Sequence, residues 1–183
     1  YIMRAILFLL LTSYVFAESN FDFSKKFSGT FNGKKLEYTA KVYEKVIFER
    51  DDSTKPLASF VVTEYSVDNQ KNRPVMFSFN GGPGSASLWL HMGVLGPKVV
   101  KVPSDASDDG SPPYNLINNK LSPLDKADLV FIDPIGTGYS RPLGEHEGKE
   151  FWGVKQDAVV IAEFIRRWIN AVSYTHLTLP TMS

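Results

Sequence analysis

Apolar and polar side chains alternate along Leu36, Tyr38, Ala40 and Val42, which interleave with Glu37, Thr39 and Lys41. A period of two puts one set on the core side of a pleated strand and the other towards solvent, so this stretch predicts a half-buried β-strand. Residues 58–65 form a second β-rich run, and the polar turn 68–73 passes through Pro74 into a third, Val75-Met76-Phe77-Ser78-Phe79. Short polar connections join the runs, which predicts that the two strands ahead of the next loop are antiparallel. The polar stretch up to about Asn32-Gly33 reads as a loose segment.

After Phe79 the pattern changes. Residues 88–95 carry enough straight-chain apolar residues to start a short helix, stopped by Gly96-Pro97. Leu129-Val130-Phe131-Ile132 is an uninterrupted apolar run between Asp128 and Asp133, as expected of a parallel strand buried on both faces. Parallel strands need a crossover, and the roughly fifty residues between Phe79 and Leu129 are enough for one containing a helix. From Trp152 to about Ile169, Val154, Ala158, Ile161, Ala162, Ile165 and Trp168 recur at helical spacing, with Lys155, Gln156, Glu163, Arg166 and Arg167 on other faces. That predicts an amphipathic helix laid on the sheet. No internal repeat or low-complexity tract interrupts these elements, and their order predicts an α/β class.

Composition narrows the picture. A chain of 183 residues is about one domain, or part of one. With 43% apolar and 13% aromatic residues it has ample material for a core, which excludes wholesale disorder. Twenty basic residues balance twenty acidic ones, without a run of either sign, so nucleic acid is not an expected partner. At the N-terminus Met3-Arg4 precedes the mostly apolar residues 5–16, and Val15-Phe16-Ala17 suits signal peptidase. Residues 1–17 are therefore read as a signal peptide cleaved after Ala17, with Tyr1 and Ile2 ahead of the true starting Met. The apolar stretch is shorter than the roughly 20 residues of a spanning helix, so no stable membrane anchor is expected. The protein is expected to be exported, periplasmic or extracellular, yet it contains no cysteine and must rely on its core rather than on disulfides. That combination leans towards a bacterial source.

The candidate chemistry lies in Asn80-Gly81-Gly82-Pro83-Gly84-Ser85-Ala86-Ser87, between a strand and a helix start. Glycines let the backbone approach a ligand, and helix-initial N–H groups favour negative charge, so such a loop suits an anion, standing or transient. A nucleotide-binding P-loop needs G-x-x-x-x-G-K-[ST], and no lysine follows these glycines before Lys98, which disfavours phosphate. Two readings remain from the residues alone: an oxyanion hole for acyl transfer, or a turn that merely reverses the chain. A second glycine-rich loop, Pro134-Ile135-Gly136-Thr137-Gly138-Tyr139-Ser140, follows the buried apolar strand. In open α/β sheets ligands bind beyond the carboxyl ends of strands, so both loops are expected on one rim. His91 is read as packed or solvated rather than catalytic. Asp105, Asp108 and Asp109 lack the spacing and closing glutamate of an EF-hand and read as a solvated loop.

The first loop with Gly96-Pro97, the block from Asp128 through Asp133-Pro134 to Ser140, and Phe151-Trp152-Gly153-Val154-Lys155-Gln156-Asp157-Ala158 resemble, in order, the serine carboxypeptidase family, the last block its bacterial members in particular. The resemblance covers about 57–168. It implies an α/β-hydrolase fold, here the N-terminal part only: antiparallel opening strands leading into a parallel sheet flanked by helices. It also implies a peptide substrate with a free C-terminus, cleaved through an acyl-enzyme with no metal or organic cofactor. Carried over by position, the backbone N–H of Gly82 is one oxyanion donor, and Asn80 with the backbone of Gly81 holds the substrate's terminal carboxylate. Several members of the family have an acidic residue just before the Leu-Gly of this region, where this chain has Gly93-Val94 ahead of Leu95-Gly96.

A hydrolase of this fold needs a nucleophile elbow, G-x-S-x-G, followed by an acid and a histidine. The closest string, Gly138-Tyr139-Ser140-Arg141-Pro142, lacks the closing glycine, and Ser140 is not read as the nucleophile. Residues 18–170 are thus read as the N-terminal part of the hydrolase domain, inactive by itself. Residues 171–183 are read as a foreign, adapter-derived tail, whose His176 has no triad role. The alternatives are an esterase or acyltransferase on the same fold, or a non-catalytic binding module.

Overall fold

The computed structural model describes residues 22–81, 84–102, 105 and 112–172. The expected signal peptide, Gly82, Asp108, Asp109 and residues 173–183 of the expected tail lie outside the described residues.

Three long strands open the fold: β1 (Asp22–Phe31), β2 (Lys34–Phe48) and β3 (Pro56–Val67), each antiparallel to the next. The stretch expected to be loose is therefore a strand. Its signal was Asn32-Gly33, whose backbones both lie at positive φ (47° and 80°), the left-handed pair that a two-residue hairpin turn demands. The hairpin tip is held from outside as well: the Asn32 side-chain amide donates to Asp125 Oδ1 at 2.7 Å, and the Asn32 N–H to the Lys120 carbonyl at 2.8 Å.

β4 (Val75–Ser78) follows, then the glycine-rich loop, a single α-helical turn α1 (Leu88–Leu90) and a wider π-helical turn His91–Leu95. The short helix expected at 88–95 is thus not a regular one. The Gly96 N–H reaches back five residues to the His91 carbonyl at 2.9 Å, and a Cβ on Gly96 would lie 2.3 Å from that oxygen, so only glycine closes this turn. Its free carbonyls are satisfied from a distant segment, Val94 and Gly96 by the Asn119 side-chain amide and Leu95 by the Ser122 hydroxyl. A small hairpin, β5 (Lys98–Val100) with β6 (Leu116–Asn118), fills part of the crossover. The chain then enters β7 (Asp128–Ile132), makes the short β8 (Arg141–Pro142) against β3, and ends its described part in α2 (Val154–Ala171).

The main sheet runs β1-β2-β3-β7-β4. β7 is buried along its whole length and parallel to β4, as its composition predicted, but it is antiparallel to β3. β3 and β4 run in opposite directions, as expected, without touching as neighbours, because β7 lies between them. The buried pair Arg73 Nε to Asp128 Oδ1, 2.8 Å, joins the lead-in to β4 to the start of β7.

Side chains of alternate parity feed two cores. Ala58, Phe60, Val62, Val130 and Ile132 face α2, where Phe164 meets Phe60 at 4.9 Å and Trp168 stands edge-on to Phe77 at 5.2 Å. The Trp168 indole N–H donates to the Tyr43 hydroxyl at 2.8 Å. On the opposite face Phe31, Tyr38, Val67, Leu124, Leu129 and Phe131 form the second core, with Leu90 and Leu95 packed against it. The expected helix is present, but its stripe is rotated: Val160, Ile161, Phe164 and Trp168 are buried, whereas Val154, Ala158 and Ala162 are exposed. Val154 and the alanines shared the helical spacing, but the large ring of Phe164 fills the space above Phe60 and sets the buried face.

Candidate active site

The parallel register of β4 and β7, with Ser78 opposite Phe131, ends both strands at the same edge of the sheet. The two glycine-rich loops therefore leave side by side, as the sequence predicted. They are also tied together. The Ser87 N–H donates to Asp133 Oδ1 at 2.8 Å, and the Ser87 hydroxyl donates to the Ile132 carbonyl. Ser87 is buried by this arrangement. Both ends of the first loop are thus fastened to β7 and the residue after it, one by the ladder at Ser78 and the other by Ser87.

Gly81 and Gly84 are exposed, and a Cβ on either would meet nothing within 4 Å. Gly84 has φ +102°, a backbone state that disfavours any side chain. Asn80 is half-buried, and its side-chain oxygen is buried without a hydrogen-bond partner. Gly82, the expected oxyanion donor, falls outside the described residues, so of the three expected site residues the structure places Asn80 and Gly81.

The second loop is closed on itself. The Thr137 N–H and hydroxyl both donate to the Pro134 carbonyl (3.0 and 2.8 Å), the Ser140 N–H to the Thr137 carbonyl (2.9 Å), and the Gly136 N–H to the Ser140 carbonyl (3.0 Å). Ser140 is buried, and its Oγ accepts from the Val61 N–H at 2.8 Å, pinning the loop to β3. That bond gives Ser140 a structural role, in agreement with its exclusion as nucleophile.

Ser87, His91 and Asp133 line one small cavity with Val61, Thr63, Leu88 and Phe131. These are the residue types of a hydrolase triad, but their bonds are different ones. The Ser87 hydroxyl is engaged by Ile132, while His91 Nε2 lies 2.6 Å from the Tyr65 hydroxyl and its ring stacks on Phe131 at 4.5 Å. Burial pushes the His91 pKa down to about 4, so the imidazole is neutral near pH 7. Burial raises the Asp133 carboxyl, and the Ser87 N–H opposes that shift. His91 is packed, as expected. Neither Ser87 nor Asp133 stood out in the sequence, although polar residues bounding a wholly apolar strand and closing a glycine loop are a usable signal. Val94, at the position where several members of the resembling family have an acid, is exposed on the π-helical turn beside Gly93.

Among the described residues no group of three or more His, Asp or Glu side chains is placed to hold a metal, and no helix is long and apolar enough to cross a membrane.

A family model described as serine carboxypeptidase matches residues 52–176. The chain is similar to the pheromone-processing carboxypeptidase KEX1 of Saccharomyces cerevisiae (strain JAY291), 33% identical over 102 residues, which are 55% of this chain and 12% of that protein. It is also similar to serine carboxypeptidase-like 10 of Arabidopsis thaliana, 30% identical over 109 residues, 57% of this chain and 23% of that protein. The chain thus spans less than a quarter of the length of these relatives.

Proposed function

The chain belongs to the serine carboxypeptidase family, and from that premise we propose that the complete protein is an exported serine carboxypeptidase that releases C-terminal amino acids from peptides. Its fold is the α/β-hydrolase fold, of which this segment supplies the N-terminal part. The observation that carries the reading is the pairing of two glycine-rich loops at one sheet edge, with the first loop fastened at both ends and its glycines Gly81 and Gly84 exposed. Among the described residues β4 has a ladder partner on one side only. A further parallel strand at that free edge would bring a nucleophile elbow to the same rim.

In this reaction a serine attacks the last peptide carbonyl, a histidine takes its proton, and the departing amino acid receives that proton as the acyl-enzyme forms. Water then releases the shortened peptide. Those three groups belong to parts of the protein outside this segment. The segment's own contribution is electrostatic and positional. The Gly82 N–H stabilises the tetrahedral oxyanion, while the Asn80 amide and the Gly81 backbone hold the terminal carboxylate. Asn80 is half-buried, so part of its side chain remains open to a substrate.

The test is the complete protein with a blocked dipeptide and with the C-terminal amide of the same dipeptide. Release of the last residue, abolished by a serine-directed phosphonate, is expected for the free acid. Asn80→Ala should weaken the free acid roughly ten- to a hundredfold, the worth of a hydrogen bond to a charged group, and spare the amide. An equal loss on both substrates would set aside the carboxylate role and favour an esterase or acyltransferase. The exposed apolar Val94 on the π-helical turn favours that second reading.

A further inference from the structure

A glycine-rich loop can hold an N–H donor to within tenths of an ångström only if something stiffer holds the loop. Here both fastenings lead to β7 and the residue that follows it. The ladder fixes Ser78, and at the other end Ser87 is gripped by two adjacent residues, through the Ile132 carbonyl and the Asp133 carboxylate. Asp133 is itself confined. A Cβ on Gly138 would lie 2.2 Å from Asp133 Oδ2, so the second loop's backbone closes over the other carboxylate oxygen, and Gly138 has φ +53°. That loop is pinned in turn to β3 by Ser140 and Val61. A continuous path of short contacts therefore runs from the centre of the sheet through the second loop to Asp133, Ser87 and the first loop.

We propose that Asp133 is a positioning residue for acyl transfer: by accepting the Ser87 N–H it sets where the first loop presents its backbone donors. The inference rests on the carboxypeptidase reading above for its catalytic consequence, though not for the anchor itself. Asp133 touches no reacting atom. Its part is to remove the freedom that the loop's glycines would otherwise have, so that the oxyanion meets a donor already aimed. Burial raises the Asp133 carboxyl, and the bond it accepts from the Ser87 N–H opposes that shift.

Two measurements on the complete protein test this. The first needs no variant: amide exchange at Ser87, expected to be slowed at least roughly a hundredfold relative to an open loop because the N–H is bonded and buried. Exchange as fast as in an open loop overturns the anchor, whatever the enzyme's activity. The second is kinetic, on the blocked dipeptide. Asp133→Ala and Asp133→Glu, which remove or displace the acceptor, should each lower kcat roughly ten- to a hundredfold while KM stays within about twofold. Asp133→Asn, which keeps an acceptor oxygen in place, should recover kcat to within about threefold of wild type. Loss of thermal stability without a change in kcat would make Asp133 merely structural and overturn the proposal. Equal impairment of the Asn and Ala variants would also overturn it. A wild-type protein that is inactive but has a protected Ser87 amide would sink the carboxypeptidase reading and the catalytic part of the proposal, and leave the anchor standing.

Discussion

The two glycine-rich loops look alike in sequence and are opposites in space. In the first, Gly81 and Gly84 face open space, and no neighbour explains why a methyl group should be forbidden at Gly81. In the second, a Cβ on Gly138 would collide with Asp133, and one on Gly136 would come within 3.1 Å of the Trp152 indole nitrogen. Glycine in the second loop answers crowding by the protein itself. In the first, Gly84 answers its own backbone angle, φ +102°, and Gly81 is crowded by nothing within 4 Å. Among the described residues the second loop is bonded internally and to β3, while the first is held to the residues ending β7 by Ser87. A glycine-rich signature therefore has two physical meanings, and the neighbours of each missing Cβ tell them apart.

The strongest way to break this comparison is Gly82→Ala in the complete protein. If the first loop presents an oxyanion donor, turnover should fall about a hundred- to a thousandfold, equivalent to about 2.7–4 kcal/mol, with little change in KM. A loss confined to KM would mean that the loop binds substrate without aiming a donor. Stability should respond in the opposite order. Gly138→Ala adds a side chain at φ +53° and against Asp133, and is expected to cost about 2–4 kcal/mol. Gly81→Ala, facing open space, should stay within about 0.5 kcal/mol. Denaturant unfolding of the two variants checks both values, and equal costs would erase the distinction between the loops.

A smaller effect is expected from pH. The His91 pKa is about 4 in the folded protein against the ordinary 6.5, so the unfolded chain takes up the proton first on acidification. The contribution of neutral His91 is therefore complete above about pH 6.5 and is lost as pH falls towards 4. Allowing for partial solvent access, its size is about 2–3 kcal/mol. Asp133, raised by burial, works in the opposite sense, its cost easing as pH falls, so wild type alone cannot separate the two. Comparing urea midpoints from pH 7 to pH 4 for wild type and His91→Phe isolates the histidine. Parallel declines would show that the turn behind the first loop is not the acid-sensitive part.

Much of this was legible in the sequence because it depends on neighbours along the chain. Alternation along Leu36 to Val42 identified β2, the unbroken apolar run identified β7 as buried on both faces, and the place of each glycine loop after an apolar strand pointed to one shared rim. What stayed hidden depends on partners far apart in sequence. β1 is a strand because β2 hydrogen-bonds to it; most of its side chains are exposed, and only the Asn32-Gly33 turn after it hinted at the pairing. α2 has apolar residues around much of its circumference, so only the cavity above Phe60 decided that Phe164 would be buried and Ala158 exposed. The insertion of β7 between β3 and β4, and with it the bond from Ser87 to Asp133 across 46 positions, follows from how the sheet is assembled. Local pattern decides which residues can form a strand, a loop or a helix, because side-chain period and backbone preference act over a few residues. Which of those elements become neighbours, and so which polar groups meet, is decided only when the whole core is packed.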